Sequence, residues 1–564
     1  MIVRSPPSSH SLCRLLIVVS SAAIATALLL LLAPFPLRTL FLNNSSTVPL
    51  IRNATERYAH HAPTATSTTR TPVRVYVYPP PPELEVSLRS SNAHFRLEKE
   101  LLDGLRLRSR SKHIKSHLTF TLNASSANLF WIPHALAVHL FDPFFDDRFN
   151  KTAARDELGR YYHEALRPFL SHIYHDLPYF NESCGGGHGQ KQCNHLFVYS
   201  LDNGPVCEMN SHSPVSVFAN DPLFQAVVHP SIIVGYFGQK TSVLDLIENK
   251  RYYNGIVPPA DRMSEWRRNC YEDGWDITVP QWDDGSKWNK RDLKLIDAVE
   301  KCEHAISLSG SVDSDTNTSS ADGRISGPCR PWLEILHRRA FNVTKPFFFR
   351  GQVSPGRWCS PGIRPWLEKY CKKTSNCNFN NNARDGNKAE QQSMDSAVYA
   401  FCPAGYACWS SRYYDALDKM AVPVRLADDI VDPFSDNIDY ALIEERVETH
   451  RYNRGNSTGI GGKANIREVA LPPDGGKAIR DMVRGAYEWM TACGMTGIRS
   501  RTFEMTEKDI ACVRHPISHK LGFIVRTRHK LSWDIDEEEG AFALLELDIA
   551  SRVLVQKGGG KIDQ

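Results

Sequence analysis

Arg412 and Asp415, with Ser410 and Ser411 just ahead of them, are the side chains whose types and spacing best suit chemistry. Serines are good N-cap residues, so the pattern predicts a helix that begins at about Arg412. Arg412 and Asp415 then share one face, while Tyr414, Leu417 and Ala421 supply the face that packs. Upstream, Ala397–Phe401 is a short apolar run stopped by Cys402 and Pro403, and a loop through Gly405 follows. Downstream, the β-branched run Val422–Leu426 returns the chain to a sheet. A strand, loop, helix and strand in that order offer backbone N–H groups, the positive end of a helix and a guanidinium at the carboxyl edge of a parallel sheet. The chemistry is anion binding, and a nucleotide diphosphate is the anion it suits. The plain alternative is any βαβ unit in which Arg412 and Asp415 form a surface ion pair.

The rest of the chain must position that unit. With 564 residues, 42% of them hydrophobic and 23% charged, it can form two substantial domains plus attachments. A formal net charge of +4 is mild and gives no nucleic-acid-binding composition. Residues 1–14 form a basic head holding Arg4 and Arg14. Leu15–Leu32 follows without a charge, about 27 Å of helix, enough to cross a thin bilayer. A cleaved signal peptide is the rival, but its apolar core is shorter, about 7–15 residues, and Pro34 and Pro36 spoil a cleavage site. The reading is a signal-anchor over 15–33, with the head cytosolic and all that follows lumenal.

Residues 34–72 are rich in Ser, Thr, Pro and Asn, a stem that builds no core. His60 and His61 there read as solvated. Sequons are numerous, and Asn123, Asn150, Asn181, Asn342 and Asn456 mark exposed positions where glycan is expected. All but Cys13 of the 14 cysteines follow the apolar run. Cys184–Cys193, Cys371–Cys377, Cys402–Cys408 and Cys493–Cys512 are candidate local staples, with connectivity left open by sequence. Asp313 and Asp315 mimic a metal-holding pair, yet their flanks are low-complexity and read as a solvated loop, so no metal site is assigned.

Order begins with the alternating strand Val73–Tyr78, stopped by Pro79–Pro82. Leu129–Ile132 is a buried strand ending at Pro133 and His134, and HLFVYSLDNGP supplies another strand and a turn holding Asp202. In the second half KPFFFRGQ gives a buried strand, Phe347–Phe349, opening into Arg350 and Gly351. The KGGGKIDQ terminus reads as disordered.

FCPAGYACWSSRYYDAL, then VPVRLADD and Asp432-Pro433-Phe434, resembles the C-terminal signature of the exostosin-like glycosyltransferases, family 47. Phe349-Arg350-Gly351 is similar to a second family segment, with Gln352 where the family has Asn. Asp202, Gly204 and Pro205 match a third, with Leu201 where the family has His. Arg364 fits a following helix and reads as structural. Met420 and Ala421 stand where the family has Gly-Cys. The likeness runs over roughly residues 73–448.

The resemblance implies an α/β fold of GT-B type, two Rossmann-like domains facing across a cleft, after the anchor and stem. The acceptor domain spans 73–335, the nucleotide-sugar domain 336–530, and a tail 531–564. It implies a Golgi type II membrane glycosyltransferase. Such an enzyme moves a sugar, with inversion, from a UDP- or GDP-sugar onto a polysaccharide or glycoprotein glycan, without a bound cofactor, alone or with a related partner subunit. Arg350, Gly351, Gly405, Ser410, Ser411, Arg412 and Asp415 would contact the donor. Asp202, or else His134, would take the proton of the acceptor hydroxyl. The alternative is a lumenal carbohydrate-binding or scaffold protein of the same fold without catalysis; a hydrolase finds no nucleophile-elbow or zinc-protease motif.

Overall fold

The computed structural model describes residues 71–82, 97–136, 156, 158–184, 193–199, 221–228, 230–236, 238–239, 271, 274–280, 292–309, 321–351, 363–380, 394–403, 412–427, 430–447, 473–494 and 505–558. All lie in one compact unit, Thr71–Gln564. The Leu15–Leu32 run, residues 34–70 of the stem and the Asp313–Asp315 loop lie outside the described residues. Among the described residues, no helix is long and apolar enough to cross a membrane.

The unit is built on two parallel sheets. The first contains β1 (Val73–Val77), β2 (Leu118–Thr121), β3 (Leu129–Trp131), β4 (His195–Tyr199), β5 (Ile232–Gly235) and β7 (Ile277–Thr278), in the order β2-β1-β3-β4-β5-β7. The second contains β8 (Lys345–Arg350), β9 (Cys377–Asn380), β10 (Ala397–Pro403), β11 (Val422–Leu426) and β13 (Glu445–Arg446), in the order β13-β11-β10-β8-β9. Every pairing within both sheets is parallel. Both follow one doubly wound plan, in which the chain moves outward from its first strand, then reverses to the other side. The reversal leaves a crevice at the carboxyl ends of the first and third strands of each half. That is the α/β architecture expected, and it is consistent with the GT-B type.

Continuous apolar strands are what such a plan requires, because helices cover both faces. All five residues of β4 and all seven of β10 are buried. The helices that matter for the site are α1 (Leu97–Arg110), α2 (Leu293–Ser309), α3 (Ala321–Asn342), α4 (Ile363–Lys373), α5 (Arg412–Asp418), α6 (Pro473–Cys493), α7 (Pro516–Thr527) and α8 (Ala541–Gly558). One apolar core runs from Val75 and Leu101 through Trp332 to Phe347 and Val424, so the two sheets share buried surface. A second cluster, with Tyr78, Phe130, Phe197 and Tyr162, fills the other face of the first sheet.

A short bridge ties the second half to the first. β12 (Ile430–Val431) pairs antiparallel with β6 (Gly238–Gln239). Just beyond, the Thr278 hydroxyl donates to the Asp432 carbonyl at 2.7 Å, and the Phe434 N–H donates back to the Thr278 carbonyl at 3.3 Å. The stretch read as a tail from residue 531 instead supplies α8. Its Phe542 is fully buried, lying where Gly104 of α1 has no side chain, and its Glu546 holds Arg108 at 3.2 Å. The apolar run beginning Ala541-Phe542-Ala543-Leu544-Leu545 keeps a helical face, and burying it outweighs leaving it in water.

Disulfides join Cys184 to Cys193, Cys371 to Cys377 and Cys493 to Cys512, and a further one, Cys302–Cys329, staples α2 to α3. The expected Cys402–Cys408 pair is not formed. Cys402 is a free thiol on an inner face of β10, lining a small internal cavity with Tyr413 and Tyr414, and burial pushes its pKa up to about 12.

Candidate functional site

In the second sheet the crevice falls between β8 and β10, and the arginines gather there. β8 is an apolar run whose phenylalanines are wholly buried, so its last residue, Arg350, is carried to the carboxyl edge with only 4% exposure. Gly351 follows with φ +156°, a backbone setting that side chains rarely adopt. A Cβ at that position would lie 2.8 Å from Nη2 of Arg412, 3.1 Å from its Cζ, and 3.5 Å from Nη1 of Arg364. The missing side chain is what lets the Arg412 guanidinium approach the backbone after Arg350, while Arg364 lies beside it at ordinary contact distance.

Each guanidinium is delivered by a different element. Arg412 opens α5, where the spacing of the sequence predicts it, and Asp415 sits in the same first turn. Both are half-buried. Arg364 is the second residue of α4 and is 4% exposed. The sequence marked Arg364 as structural only, and its place beside Gly351 and Arg412 is the main addition the structure makes. Its signal was the order of the elements: α4 follows β8, so its first turn must lie at the same sheet edge. Like charges gathered in a poorly hydrated crevice favour an anion there. Gly405, Ser410 and Ser411 lie outside the described residues.

Next to this cradle, β11 carries a buried ion network that sequence reading missed. Arg425 pairs with Asp432 and, at 2.8 Å, with Glu444; Arg446 pairs with Asp432 at 2.6 Å and with Glu444. The Arg425 guanidinium also lies 4.9 Å from the Tyr413 ring centroid. Burial opposes its charge, but Asp432 and Glu444 outweigh that and hold it protonated. The network clamps both ends of the loop that leaves β11 beside α5. An arginine inside an otherwise apolar strand, VPVRL, was the available signal, since a buried charge demands partners.

Met420, where the resemblance expects glycine, has φ +52°. The Met420 N–H donates to the Leu417 carbonyl at 3.2 Å and the Ala421 N–H to the Ala416 carbonyl at 2.9 Å. This is a helix stop that glycine usually makes. Met420 thus adopts the left-handed setting that glycine commonly takes at a helix end.

The acceptor-side candidates fare differently. His134 follows β3 and is 1% exposed. Its Nε2 lies 2.5 Å from the Val198 carbonyl, which can only accept, so Nε2 carries the proton; Nδ1 accepts the Leu136 N–H at 3.1 Å. The ring stacks on Phe197 at 3.8 Å, and burial lowers its pKa to about 3. With both nitrogens engaged inside the fold, His134 holds the loop rather than meeting an acceptor. Glu98 of α1 completes that loop, accepting the N–H groups of His134 at 2.7 Å and Ala135 at 2.9 Å. Asp202 lies outside the described residues, as do Asn150 and Asn456. Asn123 and Asn342 are exposed, and the side chain of Asn181 lies outside the described residues.

Two parallel sheets with one winding plan, and a crevice at the switch point of the second where Arg350, Arg364 and Arg412 gather, define an α/β protein with a basic cleft suited to an anion. Residues 305–454 match the Exostosin GT47 domain, so that segment is similar to the exostosin-like glycosyltransferases of family 47. It is similar to the probable glucuronosyltransferase GUT1 of Oryza sativa subsp. japonica, 41% identical over 71 residues, 12% of this chain and 17% of the relative. It is 40% identical over 107 residues to the rice probable glucuronosyltransferase Os04g0398600, 18% of this chain and 24% of that one. A longer and weaker likeness, 23% over 271 residues, joins it to the probable arabinosyltransferase ARAD1 of Arabidopsis thaliana, covering 46% of this chain and 58% of the relative. The match thus spans a quarter or less of the two rice proteins and somewhat over half of the third.

Proposed function

We propose that the protein transfers a sugar from a UDP- or GDP-sugar onto a polysaccharide or glycoprotein glycan, with inversion at the transferred carbon. The convergence of Arg364 and Arg412 on Gly351, beside Arg350, carries this reading. Charge grows on the leaving diphosphate as the glycosidic bond breaks, and fixed guanidiniums in a crevice stabilise that charge more than they stabilise the bound donor. Asp415 orients Arg412 or takes a ribose hydroxyl. The base for the acceptor hydroxyl is assigned to Asp202, three residues past β4 in sequence, rather than to His134. The names of the relatives point to a pentose or a uronic acid as the transferred sugar.

We also propose a Golgi membrane protein of single-pass type II, with a related transferase as partner. The uncharged run Leu15–Leu32, the exposed sequons Asn123 and Asn342, and four disulfides among the described residues support a lumenal setting. The test is release of nucleotide from a panel of UDP- and GDP-sugars by the full chain in detergent, with and without oligosaccharide. Acceptor-dependent release from one donor is expected. No release from any donor, with saturable oligosaccharide binding, would favour the non-catalytic carbohydrate-binding alternative.

A further inference from the structure

The first sheet has its own switch point, between β1 and β3, and a cleft of about 560 Å³ lies at the carboxyl end of β1. That volume is in the range of small-ligand sites. We propose that this cleft is a saccharide subsite that holds an uncharged stretch of the acceptor chain. The inference rests on the transferase reading and assigns a place to its second substrate.

The walls carry the argument. One consists of Tyr76 and the prolines Pro79–Pro81, flat faces of which three offer no N–H. The opposite wall is a helical stretch presenting Glu164, Pro168, Phe169 and His172. Glu164, Pro168 and His172 are spaced by four and form one stripe.

That helical stretch is not regular where it meets the cleft. Tyr162–Leu166 and His172–Asp176 are π turns on either side of an α turn, Arg167–Ser171. Pro168 is the cause of the first, because it cannot donate to the Glu164 carbonyl, and the Arg167 N–H reaches back to the Tyr162 carbonyl instead. The second closes with the Leu177 N–H donating to the His172 carbonyl at 3.3 Å. π turns within helices are frequent at functional sites.

The chemistry of the lining suits a sugar and not a phosphate. Ring and proline faces take the C–H faces of a pyranose, while a carboxylate and an imidazole take its hydroxyls. Glu164 is exposed, and His172 is fixed by Asp176, 2.8 Å from its Nδ1. The nearby Arg167 is held by Asp221 at 2.7 Å. Glu164 repels an acidic sugar, so an uncharged one is the better fit.

The test is calorimetric titration of the full chain with xylohexaose, cellohexaose and a galactan hexasaccharide, and separately with UDP. Glu164→Gln, His172→Ala and Tyr76→Ala are compared with wild type at matched melting temperature. At least one hexasaccharide is expected to bind, with affinity about tenfold lower in Glu164→Gln and reduced in the other two, while UDP binds all four proteins alike. A hexasaccharide bound equally by all four proteins would overturn the proposal. UDP binding with no hexasaccharide bound would overturn it and leave the transferase reading standing. Binding of neither would remove both.

Discussion

The carboxyl edges of the two sheets share a winding plan and differ in every side chain that counts. At the first, His134 and Glu98 are fully buried and spend their polar atoms on the backbone of one loop. At the second, Arg364 and Arg412 converge on a glycine beside Arg350. Topology supplies a crevice in both halves, and the side chains decide what each crevice is for. A titratable residue at a strand end is thus weak evidence of catalysis until its hydrogen bonds are counted. Guanidiniums converging from separate elements are stronger, because holding like charges together costs energy that only an anion or a carboxylate offsets.

The largest effect expected comes from breaking the frame of the second edge. Asp432→Ala leaves Arg425 and Arg446 short of a partner in a buried network, and should cost about 3–5 kcal/mol of unfolding free energy. Urea denaturation would measure it; a loss below about 1 kcal/mol would mean that the network is a bystander.

Arg364→Ala comes next and sharpens the contrast between the edges. It should weaken UDP binding by roughly 10–100-fold, the worth of one charge-assisted contact of about 1.5–3 kcal/mol, with little change in melting temperature without nucleotide. Unchanged affinity would return Arg364 to the structural role that its sequence context suggests.

The first edge can be probed through pH. Burial raises Glu98 from 4.5 to about 8, although the N–H groups of His134 and Ala135 pull the other way. The folded chain therefore holds a proton that the unfolded chain releases above about 4.5. The stabilisation is full below that pH and is lost as pH rises through about 8. Denaturation midpoints should fall across that window in wild type, and the slope should flatten in Glu98→Gln.

The smallest effect lies at the end of α5. Met420→Gly should raise stability by about 1 kcal/mol, because glycine adopts the left-handed setting without steric cost. A fall in stability would show that the Met420 side chain matters more than its backbone.

Much of this was legible beforehand. The apolar runs at β4, β8, β10 and β11, and the helix start at Arg412, follow from local pattern and capping, which act over a few residues. What stayed hidden depends on distant pairings. β12 and β6 are two residues each and join segments about 190 positions apart, too short to leave a period. Arg425 finds Asp432 and Glu444 only after β13 has docked on β11. The helix near the C-terminus was mistaken for a tail because its partner, the notch at Gly104, lies more than four hundred residues earlier. Arg364 is legible as helical, but its place beside Gly351 and Arg412 is not, because sheet order, not sequence distance, brings it there.

The central claim is that the arginine cradle holds the diphosphate of a nucleotide sugar. The most direct test is thermal unfolding of the full chain against rising UDP and GDP, with Arg412→Ala alongside. Saturable stabilisation by one nucleotide, absent from a variant that melts like wild type without ligand, is the predicted result. Equal stabilisation of wild type and Arg412→Ala, or none in either while the protein is folded, would contradict it.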